Sequence, residues 1–221
     1  AGALLTTPAA PTPPPTEALL TPVTDVPPPA FDAMRPAIGV ARVAVGGDGR
    51  DLRVTVTATV DAPAFLKRSK YGTNPVELFI DADNNPATGG AEWANPIAPG
   101  FEYRVTVKAG NVFREKDGQL SVGFGGGPTG VEIAGHVIGC NIERHLEGKV
   151  SEKRKGGTVI GGLSSDLKAR SRVEGREMAI TIPYADLDLR PGQVVRVTAQ
   201  RTLAGGGLRD QFLSSGVLLL R

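Results

Sequence analysis

The stretch Leu52-Arg53-Val54-Thr55-Val56-Thr57-Ala58-Thr59-Val60 alternates apolar and polar side chains without a break. Successive side chains of a strand point to opposite faces, so this pattern describes a strand with one buried and one wet face. Residues 40–45 precede it, and Gly46-Gly47-Asp48-Gly49 supplies a turn, so the two stretches are expected to pair as a hairpin. The same period recurs downstream. Val76, Leu78 and Ile80 make a strand ending at Asp81, and Phe101, Tyr103, Val105 and Val107 alternate with Glu102, Arg104, Thr106 and Lys108. Shorter candidates lie at 111–114, 120–124 and 131–134. Met178, Ile180 and Ile182 form a strand that stops at Pro183, and Tyr184-Ala185-Asp186-Leu187 reads as one helical turn. Pro191-Gly192 then turns the chain into a strand over 194–201, and residues 212–220 are apolar enough for a last core strand. No stretch sustains helical periodicity over three turns. The expected fold class is all-β, a two-sheet and mainly antiparallel β-sandwich of jelly-roll or immunoglobulin-like kind, over residues 37–221.

Composition sets the surroundings of that domain. A globular part of about 180 residues buries roughly 70% of its unfolded surface, so its core needs no staple. The single cysteine, Cys140, leaves no internal disulfide and excludes a disulfide scaffold. A net charge of +2 gives no case for nucleic acid or an anionic membrane. The local basic run Lys149, Lys153, Arg154 and Lys155 has no interleaved aromatic residues and reads as a solvated loop. No apolar run approaches the roughly 20 residues of a transmembrane segment. The chain starts at Ala1 with no basic and apolar leader, which fits a mature protein or a trimmed chain whose signal peptide is gone. The expected location is secreted, periplasmic or attached to a cell surface.

Ten of the 18 prolines lie before Ala37, including Pro13-Pro14-Pro15 and Pro27-Pro28-Pro29. Proline lacks the amide donor and fixes φ, so residues 1–36 are expected to be an extended linker or arm, either a tether or a strap along the domain. The segment from Gly135 to about Lys168 fits the strand pattern least. It is expected to be an irregular excursion with a short helix around residues 142–147.

The segment Asp81-Ala82-Asp83-Asn84-Asn85-Pro86-Ala87-Thr88-Gly89-Gly90-Ala91-Glu92 carries the chemistry. Oxygen side chains sit at 81, 83 and 85, and alternate side chains of a curled loop converge. Calcium takes 6–8 oxygens in flexible geometry. Asp81, Asp83 and Asn85 are candidate ligands, and the Ala87 carbonyl and Glu92 carboxylate fall at offsets used by an EF-hand loop. Pro86 stands where that loop needs glycine and no helices flank it, so this is not an EF-hand. Two carboxylates about 4 Å apart repel by roughly 4 kcal/mol at an effective dielectric near 20, and by about 1 in water, so partial burial favours a bound cation. An Asx-rich turn that caps its own backbone is the alternative. The preceding strand places the loop at an edge of the sandwich, where Glu102 is a further carboxylate to complete the set.

Three segments, VELFIDADNNPATGG (76–90), GFEYRVTV (100–107) and EMAITIPYADLDLRPGQVVRVTAQR (177–201), together resemble carbohydrate-binding module family 9-like, DOMON-type β-sandwich domains. Asp81, Asp83, Asn85, Thr88 and Gly89 match the loop of that group. Gly100, Glu102 and Tyr103 match its second element, and Ile182, Pro183, Leu187, Pro191 and Gly192 its third. The resemblance implies an exported module, often containing calcium and sometimes binding sugars. Sugar-binding members clamp the ring between aromatic side chains. This chain has one tryptophan, Trp93, with Tyr71 as the best second candidate.

Other chemistries find less support. His136, Cys140 and His145 are of zinc-ligating type, but no fourth ligand has a fixed spacing. A haem would need Met178, which belongs to an expected core strand. Ser164-Ser165-Asp166 lacks the context of a nucleophile elbow. The run 123–130 lacks the lysine and hydroxyl of a phosphate loop. The expectation is a non-catalytic binding module for a carbohydrate or cell-surface polymer, with structural calcium. The alternative is a structural or assembly module that meets a protein partner and takes no small ligand.

Overall fold

A computed structural model describes residues 13–23, 39–62, 74–91, 99–123, 132–146, 149–153, 171–202 and 209–221. In chain order the strands are β1 (Glu17–Leu20), β2 (Val40–Gly47), β3 (Asp51–Ala58), β4 (Asn74–Asp81), β5 (Gly90–Ala91), β6 (Pro99–Phe101), β7 (Tyr103–Arg114), β8 (Leu120–Gly123), β9 (Glu132–Leu146) and β10 (Lys149–Lys153). The last four are β11 (Ser171–Glu174), β12 (Glu177–Pro183), β13 (Val194–Thr202) and β14 (Arg209–Leu219), with a single 3-10 turn at Tyr184–Leu187.

Two antiparallel sheets form the sandwich. One runs β1-β2-β3-β12-β11 and the other β10-β9-β7-β4-β13-β14, with β8 added on β7. A separate two-stranded sheet joins β5 to β6. The alternation read from the sequence sets which face is inside. Leu52, Val54, Val56 and Ala58 of β3 are buried, as are Met178, Ile180 and Ile182 of its neighbour β12. Facing them are Val76, Leu78 and Ile80 of β4, Val105 and Val107 of β7, and Val195, Val197 and Ala199 of β13, all in one apolar cluster.

Three expectations need correction. Residues 135–146 are not an irregular excursion, and residues 142–146 are strand, not helix. They belong to β9, which pairs with β7 from Tyr103↔Arg144 to Arg114↔Glu132. Ile138, Cys140 and Ile142 give β9 its period-2 inward face. Residues 149–153 of the basic run form β10 at the sheet edge, not a loop. Lysine is common on such edges because its charge discourages pairing with another chain. β4 lies between β7 and β13, so the oxygen-rich loop leaves the end of an interior strand.

Residues 13–23 of the N-terminal segment are part of the sandwich. β1 pairs with β2 from Glu17↔Gly46 to Leu20↔Val43. It also reaches the other sheet, because Ser214 donates its amide to Thr21 O and Leu219 to Pro15 O, both at 2.7 Å. A Cβ on Gly216 would stand 2.7 Å from the Ala18 Cβ, so glycine is what lets the two edges close. Pro15 and Pro22 flank the four-residue strand, where a missing amide donor is tolerated. Leu20 is fully buried. Leu20→Ala is expected to lower stability by about 2–5 kcal/mol, the usual range for a core truncation, as measured by urea unfolding. A loose tether would give a change near zero.

Candidate metal centre

The site is built where β4 ends. β4 is buried on both faces. Val76, Leu78 and Ile80 point into the core, while Glu77, Phe79 and Asp81 occupy the opposite face and are also buried. Asp81 thus enters the loop with only 2% of its surface exposed.

The loop then curls back on itself. The Asn85 amide donates to Asp81 Oδ1 at 2.9 Å and to Asp83 Oδ1 at 3.0 Å. Asn85 Oδ1 in turn accepts the Ala87 amide at 3.1 Å. Asn84 adopts φ 54°, a left-handed conformation that asparagine tolerates. From outside, Gln193 Nε2 donates to Ala82 O at 2.5 Å and Arg196 Nε to Asn84 Oδ1 at 3.2 Å, which fixes the loop on β13.

The returning chain brings the third carboxylate. Glu102 lies between β6 and β7 and donates its amide to Ile80 O at 3.0 Å. Its Oε2 accepts the Ala82 amide at 2.6 Å. Two glycines permit this close crossing. A Cβ on Gly89 (φ 67°) would lie 2.6 Å from Phe101 O and 2.7 Å from Glu102 Oε1. A Cβ on Gly100 (φ 73°) would collide with Pro86 Cα and lie 2.8 Å from Asn85 O.

Asp81, Asp83 and Glu102 each place a carboxylate oxygen within 4.8 Å of the others. This is the cluster of potential metal-holding side chains among the described residues. It has many acceptors and few donors. Thr88 Oγ1 stands 3.0 and 2.9 Å from the two Asp83 oxygens, 2.9 Å from Asn85 O and 3.4 Å from Glu102 Oε1. One hydroxyl proton serves one of these four oxygens. Asp81 Oδ2 is buried and has no hydrogen-bond partner. An unsatisfied buried acceptor costs about 1–3 kcal/mol, more when it is charged.

The ionisation of the cluster reflects the same crowding. Burial raises the Asp81 pKa above its ordinary 3.8, and the neighbouring Asp83 adds to the rise; the Asn85 amide and Arg196 oppose it. Burial likewise raises Glu102 above 4.5, with the charges of Asp83 and Asp81 adding. Such a set suits a hard, oxygen-seeking dication. Asp81, Asp83 and Glu102 would hold it, with the Thr88 hydroxyl and the Asn85 carbonyl at hand. All of these donors are oxygens, whereas structural zinc sites are built mainly from cysteine and histidine.

Of the ligands expected from sequence, Asp81, Asp83 and Glu102 converge. Asn85 uses its side-chain oxygen on Ala87 and its amide on the two aspartates, while its main-chain carbonyl lies beside Thr88. Ala87 enters through its amide. Glu92, Trp93 and Tyr71 lie outside the described residues. Thr88, Gln193 and Arg196 were not anticipated in these roles, since only distances reveal them. The zinc-type trio does not assemble around His136 and Cys140. Four residues apart on a strand puts their Cα atoms about 13 Å apart. Cys140 is buried in the core, and His136 Nδ1 pairs with Asn111 Oδ1 at 3.0 Å. Burial lowers the His136 pKa below 6.5, which favours the neutral ring.

The chain matches no known family model, no curated protein and no solved structure. Among the described residues, no helix is long and apolar enough to cross a membrane.

Asp81→Asn keeps an acceptor for the Asn85 amide and puts an amide donor where Oδ2 is orphaned. In chelator the variant is expected to be as stable as the parent or up to about 1–2 kcal/mol more stable. In calcium it is expected to be less stable, so the sign of the effect inverts between the two melting curves. The pH response follows from the raised pKa values. A carboxylate that holds its proton more tightly when folded destabilises the fold while ionised, and this is relieved as pH falls through its folded pKa toward its unfolded value. This contribution in metal-free protein should be flattened by Asp81→Asn, as read from melting temperatures between pH 7 and about 4.

Proposed function

We propose that this chain is a non-catalytic binding module of an exported protein, with a structural calcium ion in the loop after β4. The observation that carries the calcium part is the buried, unpartnered Asp81 Oδ2 inside a carboxylate triad. A cation there turns three repelling charges into ligands and satisfies that orphan. The geometry also gives the carboxylates holding work. Glu102 accepts the Ala82 amide and Asp81 and Asp83 accept the Asn85 amide, so two strand ends are tied together.

The ligand class rests on the motif resemblance to carbohydrate-binding module family 9-like, DOMON-type domains. On that reading the target is a carbohydrate or cell-surface polymer, with Trp93 and Tyr71 as the contacting rings. One observation favours the second reading, an assembly module for a protein partner. At the end of the ribbon β8-β7-β9, Leu120 and Ile133 expose 39% and 49% of their surface.

Two measurements test these statements. Calcium should raise the melting temperature of chelator-treated protein, since an excess of 100-fold over the dissociation constant stabilises by about 2.7 kcal/mol. Asp83→Ala should remove that response. A melting curve unmoved by calcium, after metal removal is verified by elemental analysis, rules the ion site out. For the ligand, Trp93 is the only tryptophan, so its fluorescence reports directly. A response within a broad glycan panel supports the carbohydrate reading, and silence across the panel sinks it.

A further inference from the structure

We infer that the ion acts as a local latch on one excursion of the chain, the segment from Ala82 to Phe101, which without the ion opens while the sandwich stays folded. This inference rests on the calcium reading above. The ligands divide between the two ends of that segment. Asp81 and Asp83 stand where the chain leaves β4, and Glu102 stands where it returns to β7. The two ends already touch, because the Ala82 amide donates to Glu102 Oε2 across 20 residues of sequence.

What the excursion contains makes the latch matter. Its strands β5 and β6 pair only with each other and belong to neither large sheet. Among the described residues its buried apolar anchor is a single aromatic pair. Phe101 packs edge-on against Phe79 with ring centroids 4.8 Å apart, as a cluster separate from the main core. Polar ties end at the loop, from Gln193 to Ala82 O and from Arg196 to Asn84, and Ala82 packs part-buried against the main core. The described part of the excursion buries little apolar surface, and a part held mainly by polar ties opens at a lower free energy than the sheets that carry it. The buried and unpartnered Asp81 Oδ2 sits at the point where the two ends cross, so an ion placed there binds the closed excursion and not the opened one.

Amide hydrogen exchange of the full chain tests this well below its melting temperature. In EDTA the amides of Ala82, Asn85, Thr88, Phe101 and Glu102 are expected to exchange at least tenfold faster than in calcium. In both solutions they are expected to exchange at least tenfold faster than the amides of Val54 in β3 and Ile180 in β12, which open only with the whole domain. Equal protection of the two groups would mean that the excursion opens only with the whole domain, which overturns the latch while leaving the ion site standing. A melting temperature and an exchange pattern both indifferent to calcium would remove the ion site, and the latch with it. Glu102→Gln keeps the shape of the crossing and both loop aspartates but weakens the returning ligand. It is expected to lose most of the calcium-dependent protection at Phe101, and full retention overturns the inference.

Discussion

A carboxylate at the end of a strand that is covered on both faces governs this structure. Water cannot solvate Asp81 there, so its charge must be met by the protein or by an ion. The Asn85 amide meets one oxygen and Arg196 contributes from a distance, but Oδ2 remains without a partner. The local geometry follows from that constraint. The loop curls to bring amides to the aspartates, Gly89 and Gly100 allow two backbone segments to cross, and Glu102 arrives as the third carboxylate of the cluster.

The interior position of β4 is itself a product of the sheet order. β4 pairs with β7 through Val76↔Val107 and with β13 through Val197↔Ile80, so both its edges are satisfied. This holds the Asp81 backbone rigidly at the sheet end. Ligands placed on such an element lose little freedom on binding an ion, whereas Asp83, which is exposed in the loop, must be held by Thr88 and Asn85. The site combines one fixed ligand, one supported ligand and one delivered by the returning chain.

Much of the fold was legible because alternation is a direct imprint of burial on one face. The hairpin of β2 and β3, the strand β12 and its 3-10 turn all sit where that pattern places them. β9 was hidden because Gly135, Gly139 and Asn141 dilute the alternation of Ile138, Cys140 and Ile142, and what straightens it is its long pairing with β7. β1 was hidden in a proline-rich context that argues against a sheet, although Ala18 and Leu20 alternate with Glu17 and Leu19. The acidic residues of the site could be named from spacing and from a motif. The shortage of donors around Thr88 and the orphaned Oδ2 could not, because they depend on which groups a fold brings within 3 Å.

The N-terminal strand has a consequence for how the molecule comes into being. Thr21 and Ser214 are joined although 193 residues separate them along the chain. Such a contact pays its loop-closure entropy before any local reward, and folds rich in distant pairings form slowly. The first strand can pair with β2 early, but the groove that Ala18 and Leu20 fill is completed only by β14, so its last partner arrives at the far end of the chain.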